Sequence, residues 1–193
     1  MQRGTLIVFE GTDGSGKRTQ MELLVTYLQQ HNILYKTLDF PRYKDSFFGG
    51  LAGDMLHGRL GPVENIPAKL AALPYAADRW QTKDDIKTWL ASGELVISNR
   101  YTASSAVYQA AKLPVGEQAG FIDWVYQLEQ EIIGLPKEDL VLYFHVPVAV
   151  AQSLMEKRAQ VKDQYEQNQG MLETVEKLYL DLAKRLPHWQ TID

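Results

Sequence analysis

The sequence predicts an α/β fold: a doubly wound parallel sheet of about five strands flanked by helices. Three observations carry it. Short apolar, β-rich runs alternate with longer stretches of helical spacing, a glycine-rich loop joins the first run to the first helix, and each predicted strand ends in a polar turn. When every strand-to-strand connection holds a helix, right-handed crossovers build a parallel sheet with its ligand cleft at the carboxyl ends of the strands.

The elements follow in order. "TLIVFE" (5–10) is the first strand; after the glycines, "KRTQMELLVTYLQQHN" places Met21, Leu23, Leu24 and Leu28 at helical spacing. "ILYKTLDFPRY" gives a second strand that ends at Pro41, because proline cannot donate to a ladder. "NIPAKLAALPYAADRWQTKDDIKTWLASG" reads as helix with a break expected at Pro74 and a stop at Gly93. "ELVISNRY" is a third strand, with the continuous apolar run of one buried between helix layers. Helices are expected from about Ser104 and from about Gly116 to Ile133, then a fourth strand, "DLVLYFHVP". Residues 153–185 read as helix, charged and Gln-rich segment, then helix, and "HWQTID" as the last strand. The charged segment, about 156–166, is the expected lid. No linker or repeat divides the chain, so 1–193 is expected to be a single domain with no terminal helix after its last strand.

Composition narrows the function. Twenty Lys+Arg against twenty-four Asp+Glu give a net charge of −4, so no global basic field invites nucleic acid or an anionic membrane, and any anionic ligand needs a local cluster. There is no cysteine, which excludes disulfides and thiolate metal sites. His31, His57, His145 and His188 are scattered without ligand spacing. The N-terminal apolar run is too short for a signal peptide or membrane span, so a cytoplasmic location is expected.

Gly11–Thr12–Asp13–Gly14–Ser15–Gly16–Lys17 satisfies G-x-x-x-x-G-K in the strand-loop-helix context that pattern requires. The glycines let backbone amides point inward at phosphate oxygens, and the helix N-terminus adds a favourable dipole. Lys17 adds a point charge for the β- and γ-phosphates. The donor site expected on this basis is Gly11, Thr12, Gly14, Ser15, Gly16, Lys17, Arg18 and Thr19. One position departs from the pattern: Arg18 replaces the usual metal-binding Ser or Thr, and Thr19 comes one place late. The Arg18 guanidinium is expected to reach a donor phosphate or to pair with an acid of the site.

Arg42 in "DFPRY", Arg79 in "YAADRW" and Arg100 in "SNRY" lie where strand ends or a neighbouring helix aim them at the same cleft. Together they can clamp a second, acceptor phosphate. Tyr75, one helical turn before Arg79, faces the same way and suits stacking on a base; it and Tyr108 read equally well as core aromatics.

At this point the blocks "FEGTDGSGK", "FPRY", "ADR", "NRYTASSAVY", "GLPKEDLVLYF", "DQYE" and "LYLDLA" resemble, in order and over most of the chain, those of the thymidylate kinase family. The "GKRT" loop is similar to one bacterial branch of it. The resemblance implies a P-loop kinase that uses ATP and Mg²⁺ to phosphorylate thymidine monophosphate, assembled as a homodimer through helices. It further implies roles for individual residues. Asp13 resembles the loop acid that organises attack by the acceptor, and with Lys17, Arg100 and the lid's Arg158 it makes the expected catalytic set. Phe40 and Pro41 would line the wall beside the sugar. Arg42, Arg79 and Arg100 would hold acceptor phosphate and base, Tyr75 would stack on the base, and Ser105 would hydrogen-bond it. Tyr108 would stand against the 2′ position. Asp163 and Glu166, with Tyr165 between them, resemble the acidic pair after the lid; Asp13 and Glu166 are the expected metal-side acids. Two departures touch this site. Asn99, also expected among the substrate-side residues, stands where the family usually has Asp and is an amide with no charge for a metal, and the lid offers only Arg158 between Lys157 and Lys162. The rival readings are a P-loop kinase for another nucleotide or a deoxynucleoside, and a nucleotide-binding pseudo-enzyme with an altered metal site.

Overall fold

The computed structural model describes residues 3–157, 164–165 and 168–193. Five parallel strands, β1 (Leu6–Glu10), β2 (Tyr35–Asp39), β3 (Leu95–Asn99), β4 (Leu140–Phe144) and β5 (Trp189–Ile192), form one sheet in the order β2-β3-β1-β4-β5. The chain fills one side of β1 first and then crosses to the other. That reversal puts the topological switch point, where α/β sheets bind ligands, at the carboxyl end of β1.

Alternation along each strand divides the core. Leu6, Val8, Val96, Val141 and Tyr143 face the larger apolar layer, with Phe121, Val125, Tyr179 and Leu182, whereas Phe9, Ile97 and Phe144 face the smaller one with Leu28. The first layer is built from α5 (Thr102–Ala110), α6 (Val115–Tyr126) and α8 (Gln169–Arg185), and the second from α1 (Lys17–Gln30). Each fully buried Val, Leu or Phe contributes about 1.5–3 kcal/mol, so burial on both faces explains why these strands are continuously apolar.

Among the described residues the remaining α-helices are α2 (Phe47–Leu56), α3 (Ala68–Trp80), α4 (Lys83–Ala91) and α7 (Val148–Lys157). The break expected at Pro74 is corrected: α3 runs through this buried proline, and the chain turns instead at Gln81–Thr82, where the Thr82 hydroxyl donates to the Arg79 carbonyl at 3.0 Å. The helix expected to run to Ile133 is α-helical only to Tyr126 and continues as a π-helical turn over Gln127–Ile132. The helix expected from Ser104 begins two residues earlier, at Thr102.

Candidate active site

The loop between β1 and α1 closes on itself. Gly14 has φ +82°, and a Cβ there would lie 2.5 Å from the Ala151 carbonyl oxygen, so both conformation and the close approach of α7 require glycine. Gly16, at φ +85°, caps α1 without a side chain and leaves the helix N-terminus open to an anion. Lys17 is only 6% exposed and reaches back over the loop, donating to the carbonyls of Gly11 (2.9 Å) and Thr12 (2.8 Å). Burial, then the neighbouring Arg100 charge, push its ammonium down to about 7 against Asp13, Glu10 and Asp39, which favour the charge. A phosphate at this loop supplies the negative charge the lysine lacks.

The turn after β3 aims Arg100. Arg100 has φ +62°, sparsely populated for a residue with a side chain, and the structure around it holds the turn in place. Glu10, fully buried at the end of β1, accepts the backbone N–H groups of Tyr101 (2.9 Å) and Ser104 (3.3 Å), the Ser104 hydroxyl (2.6 Å) and the Tyr179 hydroxyl (2.8 Å). Tyr101 has no side chain able to cap α5, so Glu10 caps that helix from the neighbouring strand. Held this way, Arg100 donates to Asp13 at 2.7 Å and lies over the Tyr108 ring, 5.3 Å from its centroid; the Tyr108 hydroxyl donates to Asp13 at 3.3 Å. Burial opposes the Asp13 charge, but Arg100 and Lys17 outweigh it and hold the carboxylate below its usual range. The same burial opposes the Arg100 charge and is overcome by Asp13, which leaves the guanidinium well above its ordinary value.

Each of the three predicted arginines has its own acid. Arg42 donates through Nε to Asp78 Oδ1 (3.0 Å), and its backbone N–H to Asp78 Oδ2 (2.8 Å). Arg79, 2% exposed, makes a fork to fully buried Glu129 with both bonds at 2.6 Å and also donates to Ser105. The sequence reading missed Asp78, Glu129 and Glu10. Asp78 was visible beside Arg79 in "YAADRW"; Glu129 carried no signal, because only the π-helical turn brings it inward.

A cavity of ≈ 210 Å³ opens between these groups, lined among others by Asp13, Phe40, Pro41, Tyr75, Arg79, Arg100, Ser105, Tyr108 and Tyr165. The structure thus brings together nine of the expected substrate-side residues. Two guanidinium groups lie near the Phe40 ring, Arg42 at 6.0 Å and Arg79 at 5.9 Å from its centroid, and the Tyr165 hydroxyl accepts from Gln109 at 2.8 Å. Arg42 and Asn99 stand outside the lining. Arg158, Asp163 and Glu166 lie outside the described residues.

Arg18 corrects the expectation for its side chain. It points outward from the first turn of α1, 85% exposed, and pairs with Glu22 one turn on at 3.1 Å; Asp13 pairs with Arg100 instead. Such exposed i,i+4 pairs contribute little. Arg18→Ala is therefore expected to keep turnover within about three-fold of the parent at low and high magnesium. A ten-fold loss would return the guanidinium to the phosphates.

A glycine-lined phosphate loop with a buried lysine, facing an arginine-lined acceptor cavity across one aspartate, defines a P-loop phosphotransferase for an anionic acceptor. The chain belongs to the thymidylate kinase family, whose model matches residues 9–193. It is 33% identical over 183 residues to the thymidylate kinase of Mycobacterium tuberculosis (strain ATCC 25618 / H37Rv), across 92% of this chain and 85% of that one. It is 31% identical over 173 residues to the thymidylate kinase of Plasmodium falciparum (isolate 3D7), across 90% and 76%. Among solved structures, thymidylate kinase from Candida albicans matches with a TM-score of 0.80 at 26% identity, over 99% of this chain and 84% of that chain.

Proposed function

We infer that this chain transfers the γ-phosphoryl group of ATP to thymidine 5′-monophosphate, giving ADP and thymidine 5′-diphosphate. The observation that carries the reading is Asp13: it belongs to the phosphate loop, lines the acceptor cavity and holds Arg100 at 2.7 Å. Donor and acceptor sites therefore meet at one residue. A phosphate acceptor is already anionic, so the reaction needs cationic positioning more than a general base, which favours a monophosphate over a neutral deoxynucleoside.

The steps follow from charge. The loop amides, including those of Arg18 and Thr19, and Lys17 hold the donor phosphates. Arg100 directs the acceptor phosphate, and Asp13 keeps Arg100 aligned until that phosphate arrives. An acceptor phosphate oxygen then attacks the γ-phosphorus; the new P–O bond forms as the bond to the β–γ bridging oxygen breaks, and ADP leaves with that electron pair. Arg79, its fork filled by Glu129, acts with Ser105 and Tyr75 on the base side, and Tyr108 crowds the 2′ carbon. Arg42 supports the Phe40 wall. Arg158, in a lid over about 156–166, would neutralise the transferring group, with Asp163 and Glu166 beside it.

Mg²⁺ fits the oxygen donors present. Among the described residues no three His, Cys, Asp or Glu cluster as a cage, which suits an ion held mainly by phosphates and water with one or two protein oxygens. When bound, it would supply neutralisation of the phosphate oxygens, and Asp13 and Glu166 are the acids that would hold it. A single cytoplasmic domain and a homodimer complete the reading. Leu70, Leu73 and Trp80 expose an apolar stripe along α3 that suits packing against a second copy, checked by light scattering. No helix among the described residues is long and apolar enough to cross a membrane.

The test is an acceptor panel under coupled ADP release. Thymidine monophosphate should turn over rapidly, and uridine and cytidine monophosphates poorly. Tyr108→Ala should accept 5-methyluridine monophosphate more readily than the parent. Clear turnover on another monophosphate alone would overturn the acceptor assignment.

A further inference from the structure

The carboxyl ends of β2 and β3 carry a pair that no step above uses. Asp39 and Asn99 are register partners, and Asn99 Nδ2 donates to Asp39 Oδ1 at 2.7 Å. A carboxylate only accepts, so it fixes the amide orientation: nitrogen toward Asp39, oxygen away. Asn99 Oδ1 is then buried with no hydrogen-bond partner among the described residues. A buried acceptor left in this state is costly and calls for a donor that arrives later. The surroundings say where the donor comes from. Asn99 pairs in register with Phe9, next to the phosphate loop, and the Asp39 charge is felt by the Lys17 ammonium. Asp39 itself is exposed, so its carboxylate is open to solvent.

We propose that Asp39 is a positioning residue for the donor site: with Asn99 it forms an outer anchor for the magnesium ion that accompanies ATP, holding the ion's water shell. The Asn99 amide supplies an oxygen but no charge, and Asp39 supplies the charge. Magnesium sheds water reluctantly and keeps several of its waters in protein sites, so an anchor acting through water suits it. The proposal rests on the ATP-dependent reading above.

The test is calorimetric binding of ATP with magnesium and, separately, with excess chelator, alongside binding of thymidine monophosphate. Asp39→Asn is expected to weaken the magnesium-dependent affinity by about ten-fold or more, the usual effect of removing an outer-shell partner of a metal. It should leave metal-free ATP and thymidine monophosphate binding unchanged. The exchanged pair Asp39→Asn with Asn99→Asp keeps one carboxylate and one amide in contact and should recover most of the loss. Equal weakening with and without magnesium would mean that the pair acts on Lys17 or on folding, and would overturn the proposal. So would an unchanged magnesium dependence in Asp39→Asn, or an exchanged pair no better than the single variant. If the parent binds no ATP under either condition, the phosphotransfer reading itself falls, and the proposal with it.

Discussion

Lys17→Met is expected to lower turnover by about 10²–10³-fold, the range seen when one donor aimed at a transition-state oxyanion is removed. It should do so without loss of stability near neutral pH. The amine is buried and held at about 7 in the fold, far below its unfolded value near 10.4. Its contribution therefore has a definite sign. Between these two values the unfolded chain binds more protons than the folded one, so stability from this group rises with pH through that window. Methionine removes the buried amine and that pH dependence together. The same depression predicts proton uptake on ATP binding. At pH 8 the free lysine is mostly neutral, and phosphate oxygens beside it restore the charged form, so affinity falls as pH climbs above 7. Calorimetry at pH 8 in buffers of different ionisation enthalpy should detect the uptake in the parent and not in Lys17→Met. Full activity in Lys17→Met, or no uptake in the parent, would remove Lys17 from the donor site.

Arg79→Ala should be the most destabilising single change at the acceptor end. It leaves Glu129 fully buried with its guanidinium partner gone, and breaking one side of such a pair costs about 3–5 kcal/mol. For a chain of this size that corresponds to a fall in Tm of roughly 10 °C. Thr102 and Ser105, which donate to Glu129 at 2.9 and 3.3 Å, cannot replace the lost charge. The acceptor constant should worsen as well, because the Arg79 fork fixes the Ser105 side of the cavity. A second variant separates the two effects: Glu129→Ala added to Arg79→Ala removes the stranded carboxylate and should recover part of the Tm while acceptor binding stays weak. A Tm within about 2 °C of the parent for Arg79→Ala would show that water or movement rescues Glu129.

What the sequence made legible was local. The phosphate loop, five strands and their polar ends are each written within a few consecutive residues, so loop geometry and the cleft's position could be read directly. Arg79 and Arg100 were read into the cleft because short spacings place them on one helix face and at one strand end, whereas spacing left Tyr75 and Tyr108 open and only the family resemblance implied their place. Which acid pairs with which arginine was not legible, since Asp78 meets Arg42 across 36 positions, Glu129 meets Arg79 across 50 and Asp13 meets Arg100 across 87. Glu129 in "QLEQEI" looks like a solvated charge until the π-helical turn rotates it inward. The helix α2 was missed because Gly49, Gly50 and Gly53 weaken any helical pattern. Gly49 has a packing reason: a Cβ there would lie 2.3 Å from the Arg42 carbonyl oxygen. Pro74 misled in the opposite sense, since burial in α3 outweighed one lost backbone bond. Arg18 showed the limit of reading a motif by substitution: the loop's backbone geometry is intact, and the replaced side chain lies outside it.

On the proposed reading the γ-phosphoryl group passes directly between two anions bound on either side of Asp13. Phosphorus-31 NMR of purified protein with ATP, magnesium and thymidine monophosphate tests it most directly. Direct transfer should give the two coupled resonances of thymidine diphosphate growing in equal amount with those of ADP, with little inorganic phosphate. Inorganic phosphate accumulating with ADP while the monophosphate resonance stays unchanged would contradict it.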